Sequence, residues 1–189
     1  MAVKGETVFS TPWFQITTVP STPGPDTAAE PYYTLVRNNG VIAFVLDEHG
    51  RAILIEQYRP PLGRTTLEMP AGGIEPGETP LQAVTRELLE ETGFVCSSLT
   101  LATSCRLMLN RESAVEHFFI GLGARMKPNV LLRERIQVRA LEREQLLHLV
   151  ATNRFEQTVA LGAVYTVLKI YGIDLLTTDL GTIESRLRQ

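Results

Sequence analysis

Gly72-Gly73-Ile74-Glu75-Pro76-Gly77-Glu78-Thr79-Pro80-Leu81-Gln82-Ala83-Val84-Thr85-Arg86-Glu87-Leu88-Leu89-Glu90-Glu91-Thr92-Gly93-Phe94 is the stretch on which the fold turns. A glycine- and proline-rich loop runs straight into a segment with both helix ends legible. Thr79 is an N-cap, Pro80 stands at the first helical position, Gln82 completes a capping box, and Gly93 follows the last turn. At about 100° per residue, Leu81, Val84, Thr85, Leu88, Leu89 and Thr92 share one broad, mostly apolar arc. Glu87, Glu90 and Glu91 fall together on an adjacent arc of roughly 100°.

That placement is poor for stability. Glu87 is three residues from Glu90 and four from Glu91, so like charges repel by some tenths of a kcal/mol per pair. They also crowd the C-terminal half of the helix, where its dipole disfavours anions. Arg86 sits four residues before Glu90 and offsets part of this, which is how an ordinary solvated acidic face is built. A divalent cation would reverse the sign for all three, because carboxylate oxygens are the ligands that Mg²⁺ and Mn²⁺ prefer. The small residues of Ala71-Gly72-Gly73 would let backbone groups approach a ligand closely.

Outward from this segment, Val41–Leu46 and Ala52–Tyr58 flank Asp47-Glu48-His49-Gly50-Arg51 as a hairpin. One early strand is expected within residues 7–19, then a turn-rich connector from Pro20 to Pro31, a strand over Tyr32–Arg37, and a tight turn at Asn38-Asn39-Gly40. Residues 60–78, with four prolines and four glycines, read as loop. Further strands are expected at Leu99–Leu109, Val115–Leu122 and Ile136–Ala140, and helices at Leu141–Val150 and Thr158–Tyr171. Residues 177–189 are weakly patterned. The class is α+β with mixed sheets. The expected organisation is N-terminal strands and connector over 1–40, a main domain over 41–175, and a tail over 176–189.

The 189 residues suffice for one packed core. A formal charge of −3 gives no broad electrostatic footprint for nucleic acid, so such a partner is not expected. Cys96 and Cys105 form no CxxC pair and fit a reducing cytoplasm. No apolar run approaches the roughly 20 residues of a membrane helix, and the N-terminus lacks the apolar core of a signal peptide.

The order Gly72, five residues, Glu78, seven residues, Arg86-Glu87-Leu88, one residue, Glu90-Glu91, one residue, Gly93-Phe94 resembles the Nudix box at every fixed position. Seven positions demand a single residue type, so an accidental match at a given start has a chance on the order of 10⁻⁸. The resemblance implies an α/β/α sandwich with mixed sheets. It also implies metal ligation by Glu87, Glu90 and Glu91 with the Ala71 backbone carbonyl, orientation of these glutamates by Arg86, and support from Glu78. Glu56-Gln57-Tyr58-Arg59 and Leu67-Glu68-Met69-Pro70-Ala71-Gly72 resemble the ADP-ribose pyrophosphatase branch. There the arginine matching Arg59 contacts the substrate diphosphate, and the glutamate matching Glu68 joins the metal site.

The activity so implied is Mg²⁺-dependent, with Mn²⁺ as a substitute. A nucleoside-diphosphate sugar such as ADP-ribose would give AMP and a sugar phosphate, in a cytoplasmic homodimer. Pyrophosphatases of NADH, dinucleoside polyphosphates or nucleoside triphosphates, and a nucleotide-sensing module, are the alternatives. Residues 107–113 lack the Pro-Gly element common in that branch, which leaves other nucleotide sugars open. Glu134 is the expected general base by the branch's loop position, with Glu112 and Glu116 as competitors. Trp13 is a purine-stacking residue by resemblance and a core residue on simpler grounds. Arg37 and Arg106 are further phosphate-contact candidates, and His117 is structural.

Overall fold

The computed structural model describes residues 5–21, 31–132 and 135–188. Val41–Leu46 is apolar at every position, as a strand covered on both faces requires. It lies in strand β4 (Gly40–Asp47), after β1 (Thr7–Ser10), β2 (Gln15–Val19) and β3 (Tyr32–Val36). β5 (Ala52–Arg59) follows, then β6 (Arg64–Glu68), β7 (Ala71–Gly73) and helix α1 (Pro80–Thr92). Strands β8 (Phe94–Val95), β9 (Ser98–Cys105), β10 (Glu116–Met126) and β11 (Ile136–Leu141) precede helices α2 (Arg143–Ala151), α3 (Thr158–Tyr171) and α4 (Leu180–Leu187).

Among the described residues β4 to β11 form one eight-stranded sheet, with β4 parallel to β10 and antiparallel to β5 and β7. Alternation along β4 sorts the core into two layers. Ile42, Phe44 and Leu46 pack with Leu146 of α2, Ala160, Ala163 and Val167 of α3, and Ile183 of α4. Val41, Ala43 and Val45 pack with Ala83, Val84 and Leu88 of α1. The result is an α/β/α sandwich. The β4–β5 hairpin turns on Asp47, whose Oδ1 accepts from the His49 and Arg51 backbone N–H groups at 2.9 Å, with Gly50 at φ 82°.

Five expectations need correction. Residues 7–19 form two strands, because the Thr11 hydroxyl accepts from the Trp13 and Phe14 backbone N–H groups and folds the chain into a hairpin. Residues 60–78 carry β6 and β7: their backbone groups complete ladders with β5 and β4, a tertiary demand that local composition does not reveal. Asn38–Gly40 is not a hairpin turn. The Asn39 carbonyl accepts from Ile74 N–H at 2.8 Å and its side chain from Val115 N–H at 2.9 Å, so the segment crosses between sheets. β9 stops at Cys105, short of Leu109. The tail is helical over Leu180–Leu187, capped by Asp179, with Ile183 fully buried. Ile183→Ala is therefore expected to cost about 3 kcal/mol, read as a lower midpoint in urea denaturation.

β1, β2 and β3 form a separate three-stranded antiparallel sheet. It is tied to the main body at the start of β10, where Leu35 N–H donates to the Arg111 carbonyl at 2.7 Å and Arg37 binds Glu112 and Glu116.

Candidate active site

α1 has the ends its sequence specifies. Thr79 and Gln82 exchange both capping-box bonds, and Gly93 closes the helix at φ 74°, its N–H donating to the Leu89 carbonyl. The buried stripe runs through Ala83, Val84, Glu87, Leu88, Glu91 and Thr92. It is rotated from the expected arc, because Leu81 is half exposed while Glu87 and Glu91 are 4% and 3% exposed. Burial of two carboxylates is expensive unless each meets donors or a cation.

Strand β7 supplies those partners in register. Ala71 N–H donates to Glu91 Oε2 at 3.0 Å. Gly72 lies against Glu87, so closely that an added Cβ would sit 2.0 Å from the Glu87 carboxyl carbon. The Gly73 carbonyl accepts from Arg86 Nη2 at 3.0 Å. Arg86 also donates from Nε and Nη2 to Glu78 at 2.8 and 2.9 Å, and from Nη1 to Glu87 Oε1 at 2.7 Å. Glu90 Oε2 is 3.6 Å from Arg86 Nη1 on the more open side. Three successive residues of one strand thus engage Glu91, Glu87 and Arg86.

These contacts set the electrostatics. The hydrogen bonds from Arg86, followed by the Glu75 backbone N–H, hold the Glu78 carboxyl down at about 2. Glu78 in turn holds Arg86 far above its ordinary value, with Glu87 adding to it. Gly72→Ala would force the Glu87 carboxylate out of its cradle. Turnover is expected to fall at least a hundredfold with little loss of helix content, checked by kcat and far-ultraviolet circular dichroism.

Beside this cluster, Arg59 grips Glu68 with both Nε, at 2.7 Å, and Nη2. Thr66 donates its hydroxyl to the same carboxylate. Burial alone would raise the Glu68 pKa, but Arg59 and Thr66 outweigh it and hold Glu68 below the ordinary carboxylate value. The Glu68 pair raises Arg59 despite its burial, and the charge of Glu91 adds to the rise. Sequence patterns proposed Arg59 and Glu68 separately; the fold makes them one unit against the glutamate helix.

Among the described residues no three His, Cys, Asp or Glu side chains are gathered as a ready-made metal set. Arg86 and the Ala71 N–H hold Glu87 and Glu91, and Glu90 stands at the open edge. The donor chemistry nonetheless fits a hard divalent cation. It comprises three carboxylates on one helix, a fourth at Glu68, and a cradle at Gly72 that only glycine fills.

Other expected residues fall elsewhere. Glu134 lies outside the described residues. Glu112 and Glu116 are both engaged by Arg37, which donates to Glu112 at 2.7 and 3.1 Å and to Glu116 at 2.7 Å. That arrangement ties down the two competing bases and occupies Arg37 as well. Arg106 is exposed after β9. Trp13 is 80% exposed at the β1–β2 turn, so the core placement is wrong. His117 Nδ1 meets the Ser104 hydroxyl at 2.9 Å, a cross-strand structural contact. Burial pushes the Cys96 thiol up to about 12, which removes it as a nucleophile. Gln157 was missed: its side-chain oxygen accepts from Met69 N–H at 2.9 Å, and no local pattern marks it.

Comparison with known proteins gives the same placement. A family model described as NUDIX domain matches residues 36–158. An ADP-ribose pyrophosphatase of Bacillus subtilis (strain 168) is 35% identical over 88 residues, covering 46% of this chain and 48% of the relative. A methanol dehydrogenase activator of Bacillus methanolicus is 32% identical over 96 residues, covering 50% and 52%. An ADP-sugar pyrophosphatase of Mus musculus is 56% identical over 46 residues, covering 24% and 21%. The chain thus spans about half or less of the curated relatives it matches. A solved structure titled as an ADP compounds hydrolase shares the fold, with a TM-score of 0.70 at 22% identity over 87% of this chain and 91% of that one. No described helix is long and apolar enough to cross a membrane. With the box intact and its glutamates seated against β7, the chain belongs to the Nudix family.

Proposed function

We propose that this chain is a Mg²⁺-dependent hydrolase that splits the diphosphate of nucleoside-diphosphate sugars such as ADP-ribose, giving AMP and a sugar phosphate. The observation that carries the reading is the juxtaposition of the β7-seated glutamates of α1 with the Arg59–Glu68 pair. The relatives named for ADP-ribose and ADP-sugar hydrolysis support the substrate class.

Glu87, Glu90 and Glu91, with Glu68 and the Ala71 carbonyl, would hold the metal, which supplies charge neutralisation and a water of lowered pKa when bound. Arg86 keeps the glutamates oriented through Glu78 and the Gly73 carbonyl. Arg59 presents a planar guanidinium suited to two phosphate oxygens, provided Glu68 shares it. Glu134 takes the proton from the attacking water, as its loop position in the family pattern implies. Trp13, exposed on the β1–β2 turn with Phe9 and Tyr33 on the same sheet, is suited to base stacking and to a homodimer joined through that sheet; a cytoplasmic location belongs to the same proposal.

The test is a panel of ADP-ribose, GDP-mannose, NADH, diadenosine polyphosphates and nucleoside triphosphates with Mg²⁺, following released phosphomonoester. A nucleotide sugar is expected to be cleaved with the highest kcat/KM. Turnover confined to triphosphates or dinucleotides would overturn the substrate class, and binding without any turnover would replace the enzyme by a nucleotide sensor.

A further inference from the structure

The loop between β6 and β7, Met69-Pro70, joins the two halves of the site: Glu68 ends β6 and Ala71 begins β7. Every backbone donor across it can be accounted for. Glu68 is in the ladder opposite Ile55. Pro70 has no N–H, and its carbonyl accepts from Ala43 N–H at 3.0 Å. Ala71 N–H goes to Glu91. The Met69 N–H, inside a residue only 1% exposed, goes to the side chain of Gln157, 88 residues away in sequence.

Gln157 is the N-cap of α3, yet its side chain makes no cap hydrogen bond to that helix. Ser, Thr, Asp and Asn are the residues whose side chains satisfy a helix's own first turn. Here a longer amide turns away from α3 and reaches the active-site loop. Immediately before it, Phe155 is buried in the core and Glu156 pairs with Arg64 of β6, and immediately after it α3 begins, so the residue has little freedom to retreat. Gln157 also lines a cleft of about 310 Å³ together with Arg59, Glu68, Pro61, Leu62 and Leu67.

We infer that Gln157 is a positioning residue of the active site, which sets the relative placement of Glu68 and Ala71 by holding the Met69 N–H between them. It acts through the loop and touches no reacting atom. The metal-binding part of this inference rests on the function proposed above; the loop-holding part does not. A loop lacking this acceptor would bury an unsatisfied donor, and it would relax by moving Glu68 away from Ala71.

The test compares Gln157→Met, which keeps length and volume but removes the acceptor, with Gln157→Glu, which keeps an acceptor oxygen. Amide hydrogen exchange at Met69 in the metal-free protein is the first readout. It is expected to quicken at least tenfold in Gln157→Met and to stay protected in Gln157→Glu. Isothermal titration with Mn²⁺ is the second, with affinity about tenfold weaker in Gln157→Met and not weakened in Gln157→Glu. The kcat for ADP-ribose should fall more than KM rises in the first variant. Unchanged Met69 exchange in a folded Gln157→Met would overturn the inference, as would faster exchange with unaltered Mn²⁺ affinity. Failure of Gln157→Met to fold shifts the decision to Gln157→Asn, too short to reach Met69 and expected to show the same quickened exchange. A wild-type protein that binds no Mn²⁺ and cleaves nothing would overturn the proposed function instead, while Met69 exchange still decides whether Gln157 holds the loop.

Discussion

Glu91→Gln is expected to lower kcat for ADP-ribose roughly a thousandfold, the equivalent of about 4 kcal/mol of transition-state stabilisation. The same variant should unfold, without metal, at the same or a slightly higher denaturant concentration. The two effects have opposite signs because Glu91 is placed against the interests of the free helix. It lies near the C-terminus of α1, four residues from Glu87, at 3% exposure. A glutamine amide keeps an oxygen to accept from Ala71 N–H and removes a buried negative charge. Steady-state kinetics with Mg²⁺ and urea denaturation in EDTA measure the pair of effects. Normal turnover together with a clear loss of metal-free stability would sink the metal-site reading.

Arg86→Met gives the opposite stability outcome. It preserves the aliphatic stem but strips Glu78, Glu87 and the Gly73 carbonyl of one shared guanidinium. Breaking a fully buried pair costs several kcal/mol, but the Arg86 side chain is 21% exposed, so about 2 kcal/mol is expected. Turnover should fall at least a hundredfold as Glu87 loses its orientation. The pH dependence follows from Glu78, whose carboxyl titrates at about 2 in the folded protein instead of near 4.5. A lowered folded-state value means that Glu78 contributes stability above about 4.5, which is lost as the pH falls towards 2. Arg86→Met should flatten this part of the acid unfolding curve, measured as denaturation midpoints between these limits.

The glutamate helix was legible in the sequence because its signals are local. Thr79, Gln82 and Gly93 mark its ends by capping chemistry, and the Arg86–Glu91 spacing sets three carboxylates on one side. The continuous apolar run of β4 likewise announced a strand covered on both faces. What escaped was determined at a distance. β6 and β7 are strands only because β5 and β4 offer their edges, and nothing in a proline- and glycine-rich stretch reveals those partners. The wheel set Glu87 and Glu91 beside the core. The fold set them within it, because β7 brings the Ala71 N–H and the bare Cα of Gly72 where side chains would otherwise stand. α4 was hidden because its sequence shows little pattern until Asp179 is seen capping it and Ile183 is seen filling the core. Trp13 misled by composition, since an isolated tryptophan suggests core and this one stands on an exposed turn.

The most direct measurement is AMP release from ADP-ribose by the purified protein as Mg²⁺ is titrated back after EDTA treatment. Turnover should be absent in EDTA, should return saturably with Mg²⁺, and should be recovered in part by Mn²⁺. Metal-independent release of AMP, or none from any nucleoside-diphosphate sugar at saturating Mg²⁺ and Mn²⁺, would contradict the account.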